Sequence, residues 1–175
     1  MIQFFSVTLL YWIGSNLSDW QYLYIDLIIL LPISITMGYT EAYPQLTHHR
    51  PTGALISVSV LTSILGHVVL QGGIQIALYF ILRAQSWFVP LKPTPDEDLN
   101  YFCYENTTLF LVSNGMYLSS VMVFSIGKPF RRPLYTNIWF LLSVVILYMF
   151  SLYLILYPDP FFQENMTVRV ATNLS

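Results

Sequence analysis

Residues 20–37 read WQYLYIDLIILLPISITM, and this stretch decides the fold. It is close to the length that crosses a bilayer as a helix, about 20 residues. Lipid forces a spanning segment to satisfy its own backbone hydrogen bonds, and a barrel strand would be shorter and would alternate polar with apolar residues. The continuous apolar run therefore predicts a transmembrane helix, one that carries an acid, Asp26, and a proline, Pro32.

Four further apolar blocks are present, at residues 2–13, 54–88, 107–126 and 138–157. The first is too short to span alone. Because it begins abruptly at Met1, we interpret it as the second half of a helix. Hydrophobic residues make up 55% of the 175-residue chain and charged residues 9%, against about 25% charged in a soluble domain. The sequence predicts an all-α, multi-pass transmembrane helix bundle with about four full spans and one partial N-terminal helix.

The loop charges predict an orientation. Alternating passes put loops 38–53 and 127–136 on one side of the membrane, and the compact basic cluster in the second loop makes that side cytosolic. The cluster consists of Lys128, Arg131 and Arg132. Four Asn-x-Ser/Thr sequons fall on the opposite, lumenal side. They begin at Asn16, Asn106, Asn165 and Asn173.

Asp26 is the leading candidate for a functional residue. An acid near the bilayer centre costs at least about 2.5–3.5 kcal/mol on insertion scales, so it should face a cavity or a partner. Asp19, Tyr22 and Asp26 share one helix face at i, i+3 and i+7, and Tyr22 offers a π-face to an ammonium group. Pro32 disturbs the helix and can free carbonyl groups to line a cavity. The pattern favours a path for an organic cation, while helix packing by Asp26 and Tyr22 and helix capping by Asp19 remain the alternatives.

Other polar residues are weaker candidates. Gln3 in the first block could bind a ligand or a neighbouring helix. His67, Gln71 and Gln75 form a stripe at i, i+4 and i+8, which is more typical of interhelical hydrogen bonding than of a pathway. His48-His49 in a loop has poor geometry for a metal.

Several functions are disfavoured. The net charge is −2, which gives no reason to expect a nucleic-acid partner, and the single cysteine excludes an intrachain disulfide or a cysteine-based metal cluster. There is no Gly-rich phosphate loop and no Ser/His/Asp set. We expect no cofactor, metal or catalytic residue in this chain itself.

Five motifs resemble one family. They are LSDWQYLYIDL (17–27), RPTGALIS (50–57), QSWF (85–88), YENTT (104–108) and SIGKPFRRPLYTN (125–137). Their order and length resemble the P-type ATPases of class five, subgroup B, the polyamine-transporting pumps of late endosomes and lysosomes. The resemblance covers nearly the whole chain and implies the end of transmembrane helix 5 followed by helices 6 to 9.

The resemblance implies ATP-driven movement of polyamines or other organic cations from lumen to cytosol. It implies substrate binding by Asp26 on helix 6, by Tyr22 one turn away and by Gln3 on helix 5. The family's DKTGT phosphorylation motif, cytosolic domains, helices 1–4 and helix 10 are not in this sequence. ATP and magnesium are thus implied for a full-length parent, and the expected partners are the lipid bilayer, the substrate and the remainder of the pump. The alternative is a small freestanding membrane protein that binds or regulates a pump without catalysis.

Overall fold

A computed structural model describes residues 1–45, 57–92, 100–125, 127, 129–157 and 159–169. The helical elements in these ranges are α1 (Ile2–Trp12), α2 (Asp19–Leu23), a π-helical segment (Tyr24–Leu30), α3 (Leu31–Gly38), α4 (Val58–Arg83), α5 (Tyr104–Phe124), α6 (Ile138–Leu156) and α7 (Pro160–Asn165). Four helices are long and apolar enough to cross a membrane, the first being the continuous run Asp19–Gly38. The predicted all-α multi-pass bundle with one short N-terminal helix is confirmed.

Helix α5 is the central helix of the bundle. It packs against α1, α4, α6 and the π-helical segment. Its buried side chains include Phe110 and Leu118, both fully enclosed, and several polar groups. Because α5 packs against these four elements, its side chains decide what lies between them.

The polar stripe on α4 joins α4 to α5. The His67 ring nitrogen lies 3.0 Å from the Ser120 hydroxyl, and the Gln71 amide donates to the same hydroxyl at 2.6 Å. The Gln75 amide donates to the Ser113 hydroxyl at 3.4 Å. The interpretation of this stripe as interhelical hydrogen bonding is confirmed.

Gly72 permits the close approach of α4 to α1. A Cβ atom added at Gly72 would lie 2.8 to 3.1 Å from ring atoms of Phe5, whereas one added at Gly73 would meet nothing within 4 Å. Small residues at such crossings let membrane helices approach each other.

Gly72→Ala should therefore lower the thermal stability of the purified protein relative to Gly73→Ala. Both changes gain about 0.5–1 kcal/mol of helix propensity, but only Gly72→Ala forces the Phe5 ring aside, at about 1–3 kcal/mol for overpacking. Thermal unfolding in detergent measures the difference. Equal melting temperatures for the two variants would show that the Phe5 ring moves freely and that the crossing is not tight.

Residues of loops 38–53 and 127–136 meet at one end of the bundle. Ala42 and Arg131 form an isolated antiparallel bridge, and the Arg132 guanidinium lies 2.9 Å from the Glu41 carboxylate. The prediction that these two loops share one side is confirmed for their described parts. His48, His49 and Lys128 lie outside the described residues.

The opposite end of the bundle brings together the other connecting segments and the C-terminal residues. The Ser15 hydroxyl donates to the Asn100 carbonyl at 2.7 Å, and the Gln21 amide donates to the Met166 carbonyl at 2.9 Å. Asn106 is fully buried here and donates to the Tyr101 carbonyl. A glycan attached to Asn106 is incompatible with this packing. The Asn106 sequon is therefore no evidence that the folded protein is glycosylated at this residue.

Cys103 precedes α5 at this end and caps it. Its sulfur accepts a hydrogen bond from the Asn106 backbone N–H at 3.3 Å, and the residue is 1% exposed. Burial raises the pKa of the Cys103 thiol, so the reactive thiolate is scarce at neutral pH.

We expect Cys103 to resist maleimide in the native protein and to react rapidly once the protein is unfolded. Raising the pH from 7 to 9 should multiply the native labelling rate by a larger factor than it multiplies the rate for a free thiol, because a free thiol, with a pKa of about 8.5, is largely ionised by pH 9 whereas the Cys103 thiol, with its raised pKa, is still gaining thiolate. Mass spectrometry of the labelled peptide measures both rates. Rapid native labelling at pH 7 would contradict the buried cap.

Candidate functional site

The candidate site lies where the first span leaves α-helical geometry. Residues Tyr24–Leu30 form a π-helix, and the Leu31 N–H donates to the Asp26 carbonyl five residues earlier. Pro32, in the first turn of α3, has no N–H and its ring crowds the preceding turn, so carbonyl groups there lack their usual donor. The disturbance predicted from Pro32 is present, and it includes Asp26. Single π-helical turns are frequent at functional sites.

Asp26 is exposed on the surface of the described bundle. Its neighbours Tyr24, Ile25 and Ile29 form the buried face of the π-helical segment, each 2% exposed or less, whereas Leu27 and Ile28 are exposed like Asp26. A bare carboxylate facing hydrocarbon is unfavourable. In a membrane, Asp26 therefore needs water, a further helix or a cation beside it.

Tyr22 and Asp19 have different surroundings in the structure. Tyr22 is half-buried, and its hydroxyl donates to the Asn16 side-chain oxygen at 3.1 Å. Asp19 is the first residue of α2 rather than its cap, which is Ser18, and the Gln21 side chain accepts from the Ser18 N–H at 3.0 Å. Asp19 and Asp26 are exposed in the described bundle, and Tyr22 is half-buried.

Gln3 lies half-buried on α1. The three predicted site residues are related through a fourth, Tyr117 of α5. Its hydroxyl lies beside the Gln3 backbone, and Asp26 and Tyr22 are near it. This hydroxyl has no hydrogen-bond partner of ordinary geometry in the described part of the chain.

Sequence reasoning missed Tyr117 and its neighbour Asn114. Asn114 is fully buried, and neither polar atom of its amide has a partner among the described residues. A signal existed, because Phe110, Asn114 and Tyr117 recur at i, i+4 and i+7 on one face of α5. The Phe110 ring lies 5.7 Å from the ring of Tyr24, so this face is turned toward the π-helical segment.

The fold and this site define a helical membrane domain with an intramembrane acid, and comparison with known proteins finds relatives of this domain. The chain is 39% identical over 179 residues to the human Polyamine-transporting ATPase 13A3 and 45% identical over 158 residues to the mouse Polyamine-transporting ATPase 13A2, with 90% of the chain covered in each case. It is 37% identical over 145 residues to the yeast Vacuolar cation-transporting ATPase YPK9, with 83% covered. No family model matches.

The chain is homologous to the P-type ATPases of the 13A family, so the resemblance predicted from its motifs is confirmed. It spans 15% of the length of the human 13A3 protein, 14% of the mouse 13A2 protein and 10% of the yeast protein. The relatives are named for polyamine or cation transport.

ATP and magnesium, which the relatives' class uses, find no fitting site among the described residues. No group of three or more His, Cys, Asp or Glu side chains in those residues could hold a metal ion. The candidate site has one carboxylate, Asp26, exposed and set among apolar neighbours.

Proposed function

We propose that this chain forms helices 5 to 9 of the membrane domain of an ATP-driven polyamine pump, with helix 5 represented by its second half. The observation that carries the proposal is Asp26, an intramembrane carboxylate held in a π-helical turn immediately before Pro32. The relatives named for polyamine transport support the same substrate class. The pump moves the polyamine from the lumen to the cytosol, across a late endosomal or lysosomal membrane.

The chemistry of the site suits an ammonium group. Asp26 provides a negative charge, the freed carbonyls before Pro32 provide hydrogen-bond acceptors, and Tyr22 provides an aromatic ring. A metal cation prefers several oxygen ligands close together, such as six to eight around calcium, and among the described residues Asp26 belongs to no group of three or more His, Cys, Asp or Glu side chains that could hold a metal ion. The site therefore binds an organic polycation, with Gln3 on α1 as a further contact.

This segment supplies binding without ATP hydrolysis, so it is inactive alone and works with the remainder of the pump. The test is ATPase activity of the full-length protein in lipid nanodiscs with spermine, potassium or calcium as the added cation. We expect stimulation by spermine and none by calcium. Stimulation by calcium with indifference to spermine would refute the assignment of a polyamine substrate.

A further inference from the structure

Helix α5 carries two buried polar side chains with unfilled hydrogen-bonding capacity. Asn114 is 0% and Tyr117 9% exposed; neither polar atom of the Asn114 amide has a partner within the described residues, and the Tyr117 hydroxyl makes no hydrogen bond of ordinary geometry there. Leaving a buried polar group unsatisfied costs about 1–3 kcal/mol. Such groups in a native structure call for an explanation, and an unseen ligand is one.

The direction of these two side chains follows from their helix. Residues three and four positions apart share a helix face, so Asn114 and Tyr117 lie on the face of Phe110. Phe110 contacts Tyr24 in the π-helical segment, and α5 also packs along α1. Asn114 and Tyr117 thus face the region between α1 and the segment that contains Asp26.

An opening leads to Tyr117 from the side. Tyr117 lines a groove of about 400 Å³ between α1, α4 and α5, together with Ile2, His67 and Gln71. The Gln71 and His67 side chains that line this groove already form hydrogen bonds with the Ser120 hydroxyl. Tyr117 is therefore the lining residue whose polar group is still available to a ligand.

We propose that Tyr117 and Asn114 are substrate-contacting residues of α5, which accept hydrogen bonds from an ammonium or amine group of the polycation that Asp26 binds. The proposal deepens the proposed function and rests on it. The phenol oxygen and the amide oxygen are both acceptors, and an ammonium group has N–H donors to give and none to receive. A linear polycation has several such groups and can contact Asp26 and α5 together, whereas a small monovalent cation has one.

The test compares Tyr117→Phe with Tyr24→Phe in the full-length pump, using spermine as the probe. Tyr24 is a matched control, because it is also buried with an unpartnered hydroxyl, but that hydroxyl lies beside Ser151 of α6. We expect Tyr117→Phe to raise the spermine concentration for half-maximal ATPase stimulation about tenfold with little change in maximal rate, as for loss of a hydrogen bond to a charged group. Tyr24→Phe should leave both values near those of the wild type.

Asn114→Leu keeps the size of the side chain and removes the amide, and it should shift the half-maximal concentration in the same direction. A purely structural role predicts instead that Tyr117→Phe keeps or raises the melting temperature and leaves spermine affinity unchanged. If neither α5 variant alters spermine affinity while Asp26→Asn does, the role of α5 is overturned and the proposed function stands. If Asp26→Asn is also without effect, the proposed function fails as well.

Discussion

Asp26→Asn should raise the spermine concentration for half-maximal ATPase stimulation of the full-length pump by at least about tenfold. The change is nearly isosteric and removes the charge from the π-helical turn. Truncating one partner of a buried charged pair costs about 2–5 kcal/mol, and about 1.4 kcal/mol corresponds to a factor of ten. The ATPase assay in nanodiscs measures the shift directly.

Glu164→Gln is the matched control for this variant. Glu164 is an exposed acid on α7, outside the spanning helices, and the same exchange of carboxylate for amide there should leave stimulation unchanged. Tyr22→Leu should have a smaller effect than Asp26→Asn, about 0.5–2 kcal/mol, since a cation–π contact is weaker than a charge pair. A wild-type response to spermine in Asp26→Asn would identify Asp26 as a packing residue.

Asn137→Ala should destabilise the bundle by about 2–4 kcal/mol, the largest effect that we expect on folding. The Asn137 side chain is 7% exposed and makes three hydrogen bonds. Its oxygen accepts from the Phe140 N–H at 3.1 Å and caps α6, while its amide donates to the Thr36 carbonyl at 2.8 Å and to the Thr40 hydroxyl at 2.9 Å. A cap is worth about 0.5–2 kcal/mol and each hydrogen bond about 0.5–1.5 kcal/mol.

Asn137→Asp separates the two roles, because it keeps the capping oxygen and loses the donor to α3. It should be intermediate in thermal stability between the wild type and Asn137→Ala. Asn165→Ala is the control, since the Asn165 amide donates only within its own short helix, to the Phe161 carbonyl. Equal stability of Asn137→Ala and Asn165→Ala would show that α6 is not tied to α3 through this residue.

The positions of the spans could be predicted from hydropathy because lipid demands long apolar helices. The predicted blocks 20–37 and 138–157 agree with Asp19–Gly38 and Ile138–Leu156 to within a residue. The fourth block was predicted from residue 107, but α5 begins at Tyr104, because Cys103 caps it. The third block extended to residue 88, whereas α4 ends at Arg83. Apolar residues beyond a helix end are indistinguishable from helical ones by hydropathy alone.

The candidate site was predicted in part. The mid-membrane acid and the nearby proline identified Asp26 and the disturbed helix, but the π-helical geometry of Tyr24–Leu30 depends on packing against α5 and α6 and has no simple sequence pattern. Asn114 and Tyr117 escaped notice because α5 carries several other polar residues, such as Ser113, Ser119 and Ser120, and nothing in the sequence singles these two out. Their importance appears only when burial and hydrogen bonding are known. The roles of Asp26, Tyr22 and Gln3 stay predictions.

Photocrosslinking is the direct test of polyamine binding beside the π-helical segment. A spermine analogue with a photoreactive group at one end is bound to the full-length pump in nanodiscs, irradiated and located by peptide mass spectrometry. We expect the label in the peptide that contains Tyr24–Leu30 or on the 110–117 face of α5. Excess spermine and Asp26→Asn should each abolish this labelling. Label that persists under excess spermine, or that lies only outside the spanning helices, would contradict polyamine binding beside the π-helical segment.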